Sequence, residues 1–263
     1  MMSTRTTRRP VTLSAVVGFL NENLAVDRIA DSSLNGLQVG FADDGRNVSI
    51  KKIGLAVDAS LTSFVLAKKV GCDLLIVHHG LFWSKDIPVT RGHYKRLEFL
   101  INNQLGLYAA HLPLDAHDEL GHNIQIAKRL GLKDVQPFGK YHGKMIGFSG
   151  RFSKPVSQKL LLHRCESEFG AKCDFLAFGS KQIQTVGIVS GGGSSTMGEA
   201  CAKGLDVLIT GERVYSDYHL AKDSEMNVLY GGHYFTEIPG LLALRDVLQK
   251  KLSISCEFLG VEQ

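Results

Sequence analysis

Apolar residues along the chain recur at two spacings, and the alternation between them predicts a mixed α/β protein. From Val11 to about Leu24, the residues Leu13, Val16, Val17, Leu20 and Leu24 fall at three- and four-residue steps, the spacing of an amphipathic helix. The run Ile53-Gly54-Leu55-Ala56-Val57-Asp58 reads as a strand, Ser60 to Val70 as a helix that Ser60 is placed to cap, and Asp73 to Val77 as a second strand. Together they make a βαβ unit. A helix over Arg91 to Gln104, a strand over Gly106 to Ala110 and a helix over Glu119 to Leu130, stopped at Gly131, follow. Before the first strand, Asp31 to Gly40 is dense in turn formers, and Asn35-Gly36 is a strong turn signal.

The second half repeats this plan in residues as well as pattern. Ile53-Gly54-Leu55-Ala56-Val57 has a counterpart in Val186-Gly187-Ile188-Val189-Ser190, and Asp73-Leu74-Leu75-Ile76-Val77 has one in Asp206-Val207-Leu208-Ile209-Thr210, at one constant spacing. Tyr108-Ala109-Ala110-His111, with Asp115 beyond it, is echoed by Tyr230-Gly231-Gly232-His233 with Glu237. The expectation is two related α/β lobes arising from an internal duplication: a flexible tail over 1–10, a first lobe over 11–133, and a second over 134–263 whose C-terminal elements are able to pack on the first.

Composition narrows the class. With 263 residues, 44% hydrophobic and 21% charged, the chain has ordinary globular composition and enough length for two cores. Its five cysteines are odd in number and lack C-x-x-C spacing, which argues against a disulfide framework or a zinc knuckle and for a reducing, cytoplasmic location. The net charge of +4 is concentrated in Arg5, Arg8 and Arg9; the remainder carries about +1, so a nucleic-acid groove is not expected. No apolar run reaches the roughly 20 residues of a membrane span. The Arg-, Ser- and Thr-rich start reads as a tail, with a short organelle-targeting peptide as the alternative.

Candidate chemistry centres on His78-His79, at the end of the apolar run Leu74-Leu75-Ile76-Val77 and before Gly80. In open α/β sheets, sites collect at the carboxyl ends of strands. Neighbouring strand residues point to opposite faces, so the two imidazoles are expected to share a site only if the strand has ended before them. His111 with Asp115, and His233 with Glu237, each place an acid four residues beyond a histidine, so a helical turn would bring both onto one face. Pro113 makes that turn less regular in the first case. Imidazole plus carboxylate without thiolate suits Zn, Mn, Fe or Co. His93, His117, His122, His142, His163 and His219 read as bystanders, His122 and His142 being the first exceptions to consider. Glu212 is either an acid/base candidate or a first-turn helix acid. Gly191-Gly192-Gly193-Ser194-Ser195 is either a phosphate cradle without a P-loop lysine or a plain βα turn.

The ordered motifs HHGLFW at 78–83, NGLQVG at 35–40, AAHLPLDAH from 109 with GHN after it, TGE at 210–212 and GGHYFTE at 231–237 resemble the NGG-interacting-factor-like family, also known as GTP cyclohydrolase I type 2. The resemblance runs from about Val11 to the end. It implies two metal ions in the cleft between the lobes: His79 and Asp115 on one ion, His78 and His233 on the other, and Glu237 bridging, with His111 lining the site. It further implies a homohexamer. The expected function is dinuclear-metal-dependent hydrolysis of a purine nucleotide or related heterocycle, with GTP ring opening as the named version, His111 as proton shuttle and Glu237 and Glu212 as further catalytic candidates. The partner is then a nucleotide-like small molecule. A metal-dependent phosphoesterase, or a non-catalytic metal-binding regulatory or adaptor protein, is the alternative.

Overall fold

The computed structural model describes residues 11–41 and 48–261. The tail expected over 1–10 lies outside the described residues. By contact density the described chain divides into two compact units, one taking 11–27, 32–41, 48–110 and 245–261, the other 28–31 and 111–244. Each has its own mixed α/β architecture.

The first unit is built on a five-stranded sheet in the order Ser255–Phe258, Lys52–Asp58, Leu74–His79, Gly106–Ala109, Gly36–Val39. All neighbours run parallel except the last pair. Leu74, Leu75, Ile76 and Val77 are fully buried, as a strand covered on both faces requires. At roughly 1.5–3 kcal/mol for each buried aliphatic side chain, this strand is a main anchor of the unit. Helix Leu61–Lys69 connects the first two central strands, and Ser60 and Ser63 form a reciprocal cap at its start.

Three segments differ from the sequence expectation. Val11–Thr12 pairs with Ser49–Ile50 as a short ribbon, and the first helix begins at Leu13 with Thr12 accepting from Ala15 N. Gly36–Val39 is an antiparallel edge strand on Gly106–Ala109, so the turn residues Asn35-Gly36 introduce a strand rather than a loop. The central strand also runs through both histidines, with His79 still in register with Asp58.

The second unit holds a six-stranded sheet in the order Lys133–Tyr141, Lys144–Ser157, Gln182–Val189, Val207–Thr210, Asn227–Tyr230, Asp174–Ala177. Its three central strands from Gln182–Val189 onward are parallel to one another. The core on one side includes Ile126, Leu161, Phe169 and Ile209, and on the other Phe138, Met197, Leu208 and Val228. Helix His122–Leu130 ends on Gly131 in the left-handed conformation, as the sequence predicts. Among the described residues no helix is long and apolar enough to cross a membrane.

Candidate metal centre

In the first unit, the ladder on the Gly106–Ala109 side stops at Val77, so His78 and His79 are paired through the strand on one edge only. Their rings lie 4.8 Å apart by centroid, so the imidazoles converge without a turn between them. His78 Nδ1 sits 2.9 Å from the carbonyl oxygen of Ala110, and His79 Nδ1 sits 2.9 Å from Asp58 Oδ1. Both partners can only accept, so each Nδ1 carries a proton and, in the neutral ring, Nε2 carries the lone pair. That tautomer is the one a metal-ligating histidine adopts, oriented by an oxygen behind it. The turn after the pair is clamped by Gln38, whose Oε1 accepts from Leu81 N at 2.6 Å while its Nε2 donates to the carbonyl of Leu34. Trp83 stands 6.3 Å from the His79 ring as a wall.

In the second unit, three strand or turn ends gather side chains. Leu112–Asp115 is a helical turn with proline in its first positions, where the missing N–H is tolerated. His111 is the N-cap residue of that turn. Its Nδ1 donates to the buried carboxylate of Asp31 at 2.9 Å, which in the neutral ring leaves the lone pair on Nε2. Asp115 is buried, and its Oδ1 accepts from Ser190 Oγ at 3.0 Å. Asn123 ties the same corner together, accepting from Ser190 N at 2.6 Å and donating to the carbonyls of Asp115 and Ile146.

In the same unit, the turn His233–Thr236 closes as the four-residue spacing predicts. His233 Nε2 lies 3.1 Å from Glu237 Oε1, and its Nδ1 lies 3.5 Å from Glu212 Oε2. The hydrogen bond to Glu237, reinforced by the charges of Glu237 and Glu212 against the cost of burial, raises the His233 pKa to about 9. Glu237 is only 3% exposed, and a cation in place of the imidazolium proton is the natural counter-charge for such a group. Gly191 makes the approach possible: a Cβ there would stand 2.2 Å from Glu237 Oε1 and 3.0 Å from His233 Nε2, and its φ is +60°.

The donor set is therefore imidazole and carboxylate, held on rigid ends and oriented from behind, which fits divalent transition metals. Thiolates play no part. Burial pushes the thiols of Cys72, Cys173 and Cys256 up to about 11, 12 and 12, and that of Cys165 upward as well. Two of the glycine amides that suggested a phosphate cradle are engaged internally, Gly191 N on Thr236 Oγ1 and Gly193 N on Thr210 Oγ1. The plain-turn reading holds there. His142 sits in the tight turn between two strands with φ +46°, away from these groups, whereas His122 is drawn to Asp115, their ligand-capable atoms no more than 4.8 Å apart. A basic cavity of about 760 Å³, lined by Arg129, Lys154, His163 and Arg164 among others, contains none of the candidate ligands.

Asp31, Asp58, Ser190 and Asn123 are supporting residues that the sequence reading did not single out. Asp58 had a visible signal, an acid ending the strand beside His78-His79. Asp31 had none, being a turn acid far from His111 in the chain.

A family model describing DUF34/NIF3 (NGG1p interacting factor 3) matches residues 11–263. The chain belongs to the DUF34/NIF3 family. A family relative from Deinococcus radiodurans, named GTP cyclohydrolase 1 type 2 homolog, is 39% identical over 258 residues, spanning 98% of this chain and 96% of its own. One of the same name from Archaeoglobus fulgidus is 40% identical over 250 residues, spanning 95% and 98%. Among solved structures, a Thermus thermophilus protein is 36% identical and superposes with a TM-score of 0.85 over 96% of this NIF3-family chain and 99% of that one.

Proposed function

We propose that this NIF3-family chain is a dinuclear-metal-dependent hydrolase acting on a purine nucleotide or related heterocycle, with GTP cyclohydrolase chemistry as its most specific form. The observation that carries the reading is the histidine chemistry. As neutral rings His78 and His79 both present Nε2 lone pairs, their Nδ1 atoms being donors to oxygen, while a buried acid, Glu237, meets His233 beside Gly191. Family membership, and the name shared by the relatives, support the substrate class.

His79 and Asp115 would hold one ion and His78 and His233 the other, with Glu237 as the ligand common to both; the ions would be Zn, Mn, Fe or Co. Bound there, such a pair supplies Lewis acidity and a water acidified toward neutral pH. The remaining work falls to the protein. Asp31 fixes His111 with its Nε2 lone pair outward, so His111 can accept and return a proton. Glu212, beside His233, is a second acid/base. A homohexameric, cytoplasmic protein belongs to the same reading, and light scattering on the purified chain tests the assembly.

Purified protein should carry close to two transition-metal ions per chain, and Glu237→Gln should remove most of that metal; metal-free wild type would falsify the reading. Incubation of the loaded protein with GTP should yield pterin-type fluorescence after ring opening. Phosphate release from generic phosphodiesters instead would assign a phosphoesterase, and inactivity on both together with tight protein binding would assign an adaptor.

A further inference from the structure

The basic cavity of the second unit, about 760 Å³, is built by an irregularity of the sheet. Strand Lys144–Ser157 pairs with Gln182–Val189 through Val156 and Ile183, and again through Arg151 and Thr185, so Gln184 stands opposite residues 152–155. Such a bulge bends its strand away from the ladder, and bulges recur beside functional sites. Gln184 Nε2, donating to the Phe152 carbonyl at 3.5 Å, ties the bulge to the sheet. Helix Gln158–Phe169 and the end of helix His122–Leu130 supply the other walls.

Each wall brings a cation: Arg129 from the end of one helix, Lys154 from the bulge and Arg164 from the other helix. Arg129 has a structural use, since a cation there offsets the dipole of its helix end. No such use covers Lys154 in the bulge or Arg164 in mid-helix. Two of the three are held in place. Arg129 Nη1 meets Glu168 Oε1 at 2.6 Å, and the Arg164 guanidinium lies 5.7 Å from the centroid of the buried Phe152 ring. Cations held in advance lose less freedom when a ligand arrives. Three cations against the one acid, Glu168, leave two positive charges uncompensated, in a chain that carries about +1 beyond its N-terminal arginines.

The volume falls within the roughly 300–1,000 Å³ of small-molecule sites, well beyond the needs of a single inorganic anion. Guanidinium forks match phosphate oxygens, and Ser153 and Ser167 add hydroxyl donors to the lining. Charge, spread over three walls, calls for a ligand with more than one phosphate. We propose that this cavity binds a soluble organic polyphosphate of nucleotide size, a nucleoside di- or triphosphate, at a site separate from the candidate metal centre. The site stands without the dinuclear reading, because none of the candidate metal ligands lines it.

Calorimetric titration of the full chain with ADP, AMP and inorganic tripolyphosphate tests the site, at about 0.1 M salt, where exposed charges are partly screened. ADP and tripolyphosphate should each bind once per chain, with or without zinc, and AMP at least about 10-fold more weakly. The Lys154→Gln/Arg164→Gln double variant should weaken ADP by about 10–100-fold. Arg164→Lys, which keeps the charge and loses the fork, should produce part of that loss, and Glu168→Gln, which releases Arg129, should tighten ADP several-fold. Lys154 and Arg164 are exposed, so the double variant should keep the wild-type zinc content and unfolding midpoint. Wild-type ADP affinity in the double variant would overturn the proposal, as would AMP binding as tightly as ADP or no binding of either polyphosphate to wild type. ADP binding that vanishes on zinc removal yet survives in the double variant would move the nucleotide to the metal centre and overturn it too. Tight binding of single-stranded RNA or anionic vesicles in place of ADP would give the surface to a macromolecule instead.

Discussion

The three parallel strands at the centre of the first unit and the three at the centre of the second are the same scaffold carrying different ends. Ile53 pairs with Leu74 and Ala56 with Val77; at the constant spacing seen in the sequence, Val186 pairs with Val207 and Val189 with Thr210. Asp73 accepts from the backbone amides of Lys51 and Lys52, and Asp206 accepts from those of Gln184 and Thr185. The ends diverge. Where the first scaffold has Asp58 behind His79, the second has Gly191 beneath Glu237 and Glu212 in place of His79. The second also inserts one residue before its helical turn. Ala110 N and Gly231 N donate to equivalent strand carbonyls, but His111 follows immediately while His233 follows after Gly232, whose φ is +85°. A one-residue step redirects side chains. It accompanies a His233 that closes on Glu237 and a His111 that turns instead to Asp31. Pairing geometry limits what the strand interiors can be, and the residues just past them are where chemistry can be changed at little structural cost.

The two scaffolds should respond most unequally at Gly191 and its counterpart. Gly191→Ala places a Cβ in contact with Glu237 and His233 and strains a positive-φ position by about 1–2 kcal/mol. Metal content should fall to one ion per chain or fewer, as measured by elemental analysis, with a lowered unfolding midpoint. The equivalent position in the first scaffold should behave differently. Asp58→Ala removes an orienting acceptor from an exposed carboxylate, 46% exposed by side chain, so the fold should be spared. Calorimetric titration should show one site weakened about 10–100-fold and thermal unfolding of the metal-free protein close to wild type.

Much of the scaffold is legible in sequence because its signals are local. Aliphatic runs such as Leu74–Val77 mark buried strands, Ser60 marks a helix start, and Gly131 marks a helix end. What sequence misplaces depends on pairing across the sheet. His78 and His79 read as lying beyond the strand because Gly80 and two polar rings interrupt the apolar run, yet pairing with Asp58 carries the strand through them. Asn35-Gly36 reads as a turn because nothing local reveals Gly106–Ala109 waiting as a partner. The candidate ligands follow the same division. The His-His pair and the two His-x-x-x-acid spacings are visible in the residues, whereas the acceptor that fixes His111 comes from 80 residues away.

The mildest perturbation tests whether the two scaffolds are equivalent beneath their different ends. Asp73→Ala and Asp206→Ala each leave a pair of backbone amides without their carboxylate acceptor. Each should destabilise the metal-free protein by about 1–3 kcal/mol, read from denaturant unfolding. Asp206 takes a further hydrogen bond from Thr185 Oγ1 at 2.9 Å, which Lys52 cannot supply to Asp73 from the same position, so the second loss should exceed the first by about 0.5–1 kcal/mol. Thr185→Val should erase that excess, because it removes the hydroxyl and keeps the branched shape. Both aspartates sit at the amino ends of their strands, opposite the candidate ligands, so zinc stoichiometry should stay at the wild-type value in all three variants. A fall in zinc binding on loss of either aspartate would mean that the strand ends are coupled to the scaffold more tightly than their separate residue requirements imply.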